Sequence, residues 1–357
     1  MKRPKSICFI AGGLSGGGQE RALSNLANQF AKKGHEITII CLFKSEIFFK
    51  MNSTIHIIWP KQDRESSNKY VYALKLIPYI RRNIVSANPD TVVSFGDWFN
   101  SYVIIATRFL NKPVYITNRM GPNINFGKFM EFFNNFTYKK ATAMVVQTNR
   151  AKDIMLNKYG VKDIRVVPNG VKRMKILNRT HENVIITVGR LSKEKGHAVL
   201  IESFSKLKNK SWKLDIVGDG PERETLEKLV TDLELQKRVC FYGHKKDFKE
   251  LLASASIFVL PSFYEGFPNA LIEAMSVPLA CVSSDCVAGP REIINHGENG
   301  FLFETGNSDG LSVILDELIS NPSKLAMIEK NASAVVDNYN FEAVTNQFLN
   351  EILNESK

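Results

Sequence analysis

The sequence predicts an α/β protein built from two doubly wound, mostly parallel sheets in series, and three observations predict it. Short apolar runs rich in β-branched residues alternate with stretches of helical periodicity along the whole chain, the pattern left by βαβ units. At 357 residues the chain is longer than one hydrophobic core usually serves, so two domains of about 150 to 180 residues are expected. The alternation breaks once, after the turn signal Pro168-Asn169-Gly170, and restarts at Val184.

In the first half the expected strands are 6–11, 36–43, 55–58, 91–94, 114–117, 143–147 and 165–167. Between the first two, residues 19–33 place Ala22, Leu23, Leu26, Ala27, Phe30 and Ala31 on one helical stripe that Gly34 closes. The polar stretch from Pro168 to Asn183 has no periodicity, so the boundary is drawn there, giving domains 1–168 and 169–340. The second half repeats the pattern with strands 184–188, 213–217, 239–242, 257–260, 279–282 and 300–303, each followed by a helical stretch. A last amphipathic segment, 341–354, carries Phe341, Val344, Phe348, Ile352 and Leu353 at helical spacing and suits either domain as a cap.

Composition narrows the class. With 44% apolar and 23% charged residues the chain reads as an ordinary globular protein without disordered tracts. No apolar run approaches the roughly 20 residues that span a bilayer, and 7–11 lies too near Lys2, Arg3 and Lys5 for a cleavable signal peptide. Cys8, Cys41, Cys240, Cys281 and Cys286 are odd in number and lack the C-x2-C spacing of a zinc site, so they are expected as reduced core thiols in cytoplasm. The Asn52 and Asn135 glycosylation triplets then carry no meaning. The net charge of +11 is uneven: residues 1–168 hold 25 Lys and Arg against 10 Asp and Glu, and 169–357 hold 22 against 26. A first half at +15 and a second at −4 points to an anionic partner for the first, lipid or nucleic acid.

Four constellations carry chemistry. Gly12 to Gly18, reading GGLSGGG, follows the first strand and precedes the first helix, where glycines allow close backbone approach to a ligand. It fits neither the dinucleotide fingerprint, since Arg21 holds the third glycine position, nor a P-loop. Gly189-Arg190-Leu191-Ser192-Lys193-Glu194-Lys195-Gly196 ends the first strand of the second half, and its two cations Arg190 and Lys195 suit one diphosphate. Gly218-Asp219-Gly220-Pro221 ends another strand and reads equally as a helix start. The strongest is the run from Pro261 to Met275: Glu265 lies in a strand-end loop, and Glu273 lies about a turn into a helix starting near Pro268. Free N–H groups there suit a sugar hydroxyl or phosphate, Glu265 accepts from sugar hydroxyls, and Glu273, flanked by Leu271, Ile272, Ala274 and Met275, suits a ribose diol.

Taken together, Glu265-x7-Glu273, Gly189-Arg190 with Lys195-Gly196, Gly218-Asp219-Gly220-Pro221, Gly289-Pro290-Arg291-Glu292-Ile293-Ile294 and Gly297-x-x-Gly300 resemble the retaining GT-B glycosyltransferases of family 4. The resemblance covers essentially the whole chain. It implies two Rossmann-like domains facing across a cleft, an acceptor-side first domain, a nucleotide-sugar-binding second domain, and a segment 341–357 that crosses back onto the first. It implies that Arg190 and Lys195 bind the donor diphosphate and, with Glu265, form the catalytic set. Glu265 and the backbone of Gly266, Phe267 and Pro268 would hold the sugar, with Asn269 beside them, and Glu273 the ribose. Gly189, Gly218 and Asp219 line the nucleotide, while Gly16, Gly17 and Gly18 close on it from the first domain. His244, after Gly243, approaches the base or is an exposed loop residue. Many members carry a histidine at a strand end of the first domain; here that stretch reads Thr117-Asn118-Arg119-Met120-Gly121. Asn118 or Arg119 takes its place, or Arg119 lies on a basic solvent face.

The resemblance further implies retention by front-face attack, with the diphosphate taking the acceptor's proton, no metal and no cofactor, and the donor is expected to be a UDP-sugar. The acceptor would be a glycan on a polyprenyl diphosphate in bacterial surface-polysaccharide or glycoprotein glycan synthesis, with the enzyme cytoplasmic and peripheral on the inner membrane face. Lys128, Lys139, Lys140 and Lys152 with Phe126, Phe129, Phe132, Phe133 and Phe136 suit anionic lipid there, a buried aromatic stripe being the competing reading. Nucleic acid is not an expected partner. A basic anion-binding protein would not need Glu265 and Glu273 at a strand-end site, and a GT-B epimerase would want acidic and histidine groups in the first domain that do not occur as a set.

Overall fold

The computed structural model describes residues 3–61, 69–174, 180–245 and 247–353, so Lys2 and Asn354 lie outside the described residues, as does the run 175–179 in the boundary stretch. The chain divides into two compact units, one of residues up to 169 together with those from 342 onward, the other of 170–341.

In the first unit β1 (Ser6–Ala11), β2 (Glu36–Cys41), β3 (His56–Ile58), β4 (Thr91–Ser94), β5 (Val114–Thr117), β6 (Ala143–Val146) and β7 (Ile164–Val166) form, among the described residues, one parallel sheet ordered β3-β2-β1-β4-β5-β6-β7. Strands of a parallel sheet are covered on both faces, which is why these segments read as continuous apolar runs instead of alternating ones. The strand expected at 36–43 stops at Cys41, although Leu42 and Phe43 still donate to the carbonyls of Ala11 and Gly12 at 2.9 and 2.8 Å. The helix Gly18–Lys32 buries Leu23, Leu26, Ala27 and Phe30 on the sheet, with the Phe30 ring 6.2 Å from that of Phe9. Each such fully buried ring is worth about 2–3 kcal/mol of apolar burial.

The last helix, Phe341–Ile352, belongs to the same core: Val344, Phe348, Leu349 and Ile352 pack with Ile7, Phe9 and Phe30. Thr91 ties its end by donating to the Ile352 carbonyl at 3.2 Å.

In the second unit β8 (Val184–Val188), β9 (Lys213–Val217), β10 (Val239–Gly243), β11 (Ile257–Leu260), β12 (Ala280–Ser284) and β13 (Phe301–Phe303) form a parallel sheet ordered β10-β9-β8-β11-β12-β13 among the described residues. Val171 and Asn340, near the two ends of this unit, are bridged: Val171 donates to Tyr339 and Phe341 donates back to Val171. Four cysteines are buried as expected, but Cys240 is exposed, because β10 is an edge strand and has a neighbour on one side only.

Both sheets reverse their strand order once, between β1 and β4 in the first unit and between β8 and β11 in the second. At such a reversal the helices leave to opposite faces and a crevice opens beyond the carboxyl ends of the two strands. No helix among the described residues is long and apolar enough to cross a membrane.

Candidate active site

The reversal in the second unit gathers the expected donor residues. β8 runs out at Val188, and the loop from Gly189 to Gly196 turns over the sheet edge against the loops that follow β9 and β11. Leu191 donates to the Asp219 carbonyl at 3.0 Å, and Phe263 to that of Glu194 at 2.8 Å. The fit requires glycine at two places. Gly218 has φ +150°, and a Cβ there would lie 1.8 Å from the Gly189 oxygen; Gly196 has φ +65°, and a Cβ would lie 2.1 Å from the Pro261 oxygen.

On this frame Lys195 Nζ donates to Glu265 Oε1 at 2.7 Å, and Ser262 Oγ donates to the same oxygen at 2.7 Å. Glu265 is 8% exposed, and Arg190 stands exposed on the same loop. Glu194 is held below the usual carboxylate range: burial works against it, but the Ser192 hydroxyl, its own backbone N–H and the positive charges of Lys195 and Arg190 prevail. Burial and the neighbouring Glu265 charge push the Cys286 thiol up to about 11, so it stays protonated beside the site.

Glu273 is buried on the helix Asn269–Met275, with Leu271, Ile272, Ala274 and Met275. Phe267 packs in the core with its ring 5.9 Å from Tyr339, and Pro268 is also buried, so both offer only backbone to a ligand; Gly266 and Asn269 are half-buried. Asp219 is exposed and engaged by Arg223 Nη1 at 3.3 Å and the Gly220 N–H at 2.8 Å. It does not cap the following helix, Arg223–Asp232, whose N-cap is Glu222; the helix start expected at Asp219-Pro221 is displaced by a turn. His244 is exposed, beside a loop fixed by the 2.9 Å bond from Gly218 N–H to the Gly243 carbonyl.

The reversal in the first unit holds a hollow of about 400 Å³, lined by residues after β1, β2 and β4, among them Gly12, Gly13, Ser15, Glu20, Lys44, Asp97 and Trp98. Burial raises the Glu20 carboxyl pKa, its own backbone N–H opposing. Gly16 lies against the Phe48 ring, Gly17 is the N-cap and Gly18 the first residue of the helix Gly18–Lys32, and the Glu20 carboxylate sits where a Cβ on Gly17 would be.

Beside the hollow, buried Asp97 accepts from the Asn118 amide, from Arg119 N at 2.9 Å and from Met120 N at 3.1 Å. Burial raises its pKa and these bonds oppose the rise. Arg119 is not on a basic solvent face: it is 7% exposed, with its guanidinium 4.5 Å from the Phe95 centroid and 5.4 Å from that of Phe348, and Nη1 donating to Asn169 at 2.8 Å. Burial lowers its pKa to about 10 against the pull of Asp97, and Nε and Nη2 have no partner.

Two family models together cover residues 16–335: "Glycosyltransferase Family 4" matches residues 16–173, and "Glycosyl transferases group 1" matches residues 170–335. The chain belongs to the family 4, group 1 glycosyltransferases.

An uncharacterized glycosyltransferase of Haemophilus influenzae is 27% identical over 95% of this chain and 97% of its own. The Campylobacter jejuni GalNAc-alpha-(1->4)-GalNAc-alpha-(1->3)-diNAcBac-PP-undecaprenol alpha-1,4-N-acetyl-D-galactosaminyltransferase is 28% identical over 95% and 92%. The lipopolysaccharide 1,6-galactosyltransferase of Salmonella typhimurium is 27% identical over 89% and 90%. Among solved structures, a Rickettsia africae glycosyltransferase superposes with a TM-score of 0.83 at 21% identity over 99% of this chain and 100% of that one. Anabaena HepE in complex with UDP superposes at 0.77 and 18% identity over 97% and 99%. The fold of this glycosyltransferase is therefore GT-B.

One further surface of the glycosyltransferase is built against ordinary amphipathic logic. In the helix Lys128–Thr137 the inward residues are polar: Ser101 Oγ lies 2.6 Å from both Asn134 Oδ1 and Thr137 Oγ1. The outward residues are aromatic, with Phe129, Phe132 and Phe136 exposed by 77, 76 and 63%, and Lys128, Lys139 and Lys140 exposed around them.

Proposed function

We propose that this glycosyltransferase moves one sugar, with retention at the anomeric carbon, from a UDP-sugar to a glycan carried on a polyprenyl diphosphate, in surface-polysaccharide or glycoprotein glycan synthesis. The observation that carries the reading is the contact of Lys195 with Glu265 at the strand-order reversal of the second unit, with Arg190 exposed on the loop that carries Lys195. Arg190 and Lys195 hold the diphosphate and stabilise its charge as it leaves. Glu265 and the backbone of Gly266, Phe267 and Pro268 hold the sugar, Glu273 the ribose diol. Gly189, Gly218, Asp219, His244 and Asn269 surround the nucleotide. Gly16, Gly17, Gly18 and Arg119 are assigned to the donor from the family resemblance.

In the step itself the bond from the anomeric carbon to the phosphate oxygen breaks, and a bond to the acceptor oxygen forms on the same face. The acceptor's proton passes to the departing diphosphate, so no separate base is required. Two fixed cations supply the charge neutralisation that a metal provides elsewhere, and the reaction is assigned as metal-independent. The hollow of the first unit, with Glu20, Asp97 and Trp98, takes the acceptor. The relatives that act on undecaprenol-linked glycan and on lipopolysaccharide support the acceptor class, and the UDP held by HepE supports the nucleotide. The Phe129, Phe132 and Phe136 stripe with its lysines supports peripheral attachment to anionic lipid at the inner membrane face.

The test is binding and hydrolysis of a nucleotide-sugar panel in EDTA by wild type, Glu265→Ala, Glu273→Ala and Arg190→Ala. Turnover of one uridine donor by wild type, lost in the variants, is the expected result. Binding of nucleic acid or anionic vesicles with no nucleotide sugar bound would sink the donor site.

A further inference from the structure

His197 opens the helix His197–Lys206 directly after Gly196, at the end of the loop that carries Arg190 and Lys195. It is 3% exposed, and neither ring nitrogen has a hydrogen-bond partner. Burial, reinforced by the Lys195 charge and opposed by Glu194, lowers its pKa from 6.5 to about 4. The ring is therefore neutral, with one N–H donor and one acceptor. Folded proteins seldom leave such groups unpaired in the interior, because each has given up its bonds to water for nothing.

The surroundings say where a partner would come from. Facing the ring is Gly189, the first residue of the diphosphate loop. An atom placed where a Cβ of Gly189 would stand lies 3.8 Å from Cε1 and 3.9 Å from Nε2 of His197, which are the nearest described atoms within 4 Å outside residues 188–190. Only the glycine backbone therefore separates the imidazole edge from the position next to Arg190, and a Cβ at 189 would lie in contact with the ring.

We infer that His197 is a diphosphate-binding residue, whose Nε2–H donates to a phosphate oxygen of the donor reached past Gly189. The inference rests on the assignment of the Arg190–Lys195 loop to the donor diphosphate. Nε2 is buried, so the bond forms as the anion draws the Gly189–Arg190 segment onto itself. A phosphate oxygen then supplies the partner that the buried imidazole lacks within the protein.

The experiment uses the full chain with UDP and inorganic pyrophosphate as probes, and the variants His197→Phe, His197→Gln and Arg190→Ala. His197→Phe removes both unpaired nitrogens, so its melting temperature is expected to equal or exceed that of wild type while its affinity for both probes falls about tenfold or more. His197→Gln keeps an N–H donor and is expected to stay within about threefold of wild type. The side-chain 15N resonances of the six histidines give an independent readout. The one missing from His197→Gln is expected to move when pyrophosphate binds wild type, and this holds even if the phenylalanine variant does not fold. Unchanged probe affinity in His197→Phe with an unmoved resonance, while Arg190→Ala loses UDP, overturns the inference and leaves the donor site standing. Failure of wild type to bind either probe overturns both.

Discussion

Lys195 and Glu265, 70 positions apart in the chain, meet at 2.7 Å on a carboxylate oxygen that Ser262 also serves. The pair places the cation proposed for a leaving diphosphate against the anion proposed for a sugar. Each holds the other in place before the donor arrives, which is the preorganisation that electrostatic catalysis requires.

Lys195→Ala removes the cation but leaves Glu265 its Ser262 partner, so the fold is expected to survive. Turnover is expected to fall by about 10²–10³ with a smaller change in donor affinity. Glu265→Gln keeps the shape and loses the charge; donor turnover is expected to fall at least tenfold, on the order of one hydrogen bond to a charged group. Steady-state donor hydrolysis with wild type alongside reads both. Near-wild-type turnover in Lys195→Ala would remove that residue from the chemistry.

Gly218→Ala tests the frame instead of the chemistry. A Cβ there would enter the Gly189 carbonyl at φ +150°, and both atoms are backbone, so the strand-end loops must part. A loss on the order of 2–3 kcal/mol in chemical denaturation is expected, together with weaker UDP binding. A variant as stable as wild type would mean that the loops are not interlocked as described.

The buried His197 makes stability depend on pH with a definite sign. Its folded pKa, about 4, lies below the unfolded value of 6.5, because burial and Lys195 disfavour the charged ring while Glu194 favours it. Between those values the unfolded chain binds the extra proton, so the contribution is fully present above pH 6.5 and is lost as pH falls towards 4. Measured against His197→Phe, wild type is expected to lose on the order of 2–3 kcal/mol over that window and no more below it. A constant difference from pH 7 to pH 4 would show that the ring titrates normally.

Much of this was legible in the sequence, for a physical reason. Parallel strands covered on both faces leave runs such as Val184 to Val188 that no helix period explains, and the thirteen strands among the described residues all lie on such runs, with small shifts at their ends. What escaped depends on contacts that a local pattern does not carry. Arg119 reads as one more cation in a basic half, but Phe95 and Phe348 enclose it, the latter 229 positions away. His197 carries no motif signal in the sequence; its ring is buried facing Gly189 at the other end of the loop. The hollow of the first unit uses Gly12 and Gly13 from the glycine run, together with Lys44 and Asp97 from the segments after two other strands, and only the sheet order brings these together.

The helix Lys128–Thr137 shows the same limit and carries the last prediction. Its phenylalanines fit a buried stripe equally well on paper. The outcome was decided by Ser101, which draws Asn134 and Thr137 inward and so turns Phe129, Phe132 and Phe136 to solvent. Phe129 stacks on Phe133 and Lys140 sits over Phe136, but three rings this exposed add little to the stability of the isolated protein and gain most of their apolar burial when another phase covers them. The flanking Lys128, Lys139 and Lys140 favour an anionic surface. The variant Phe129→Ser/Phe132→Ser/Phe136→Ser is therefore expected to melt within about 2 °C of wild type, since surface changes of this kind shift stability by little. Its binding to phosphatidylglycerol vesicles, measured by co-sedimentation, is expected to fall about tenfold or more, whereas hydrolysis of a soluble donor is unchanged. Raising salt is expected to weaken wild-type binding only in part, because screening acts on the lysines and not on the rings. Full retention of vesicle binding in the triple variant would assign membrane attachment to another surface, and a large drop in melting temperature would mean that the rings are covered by the protein itself.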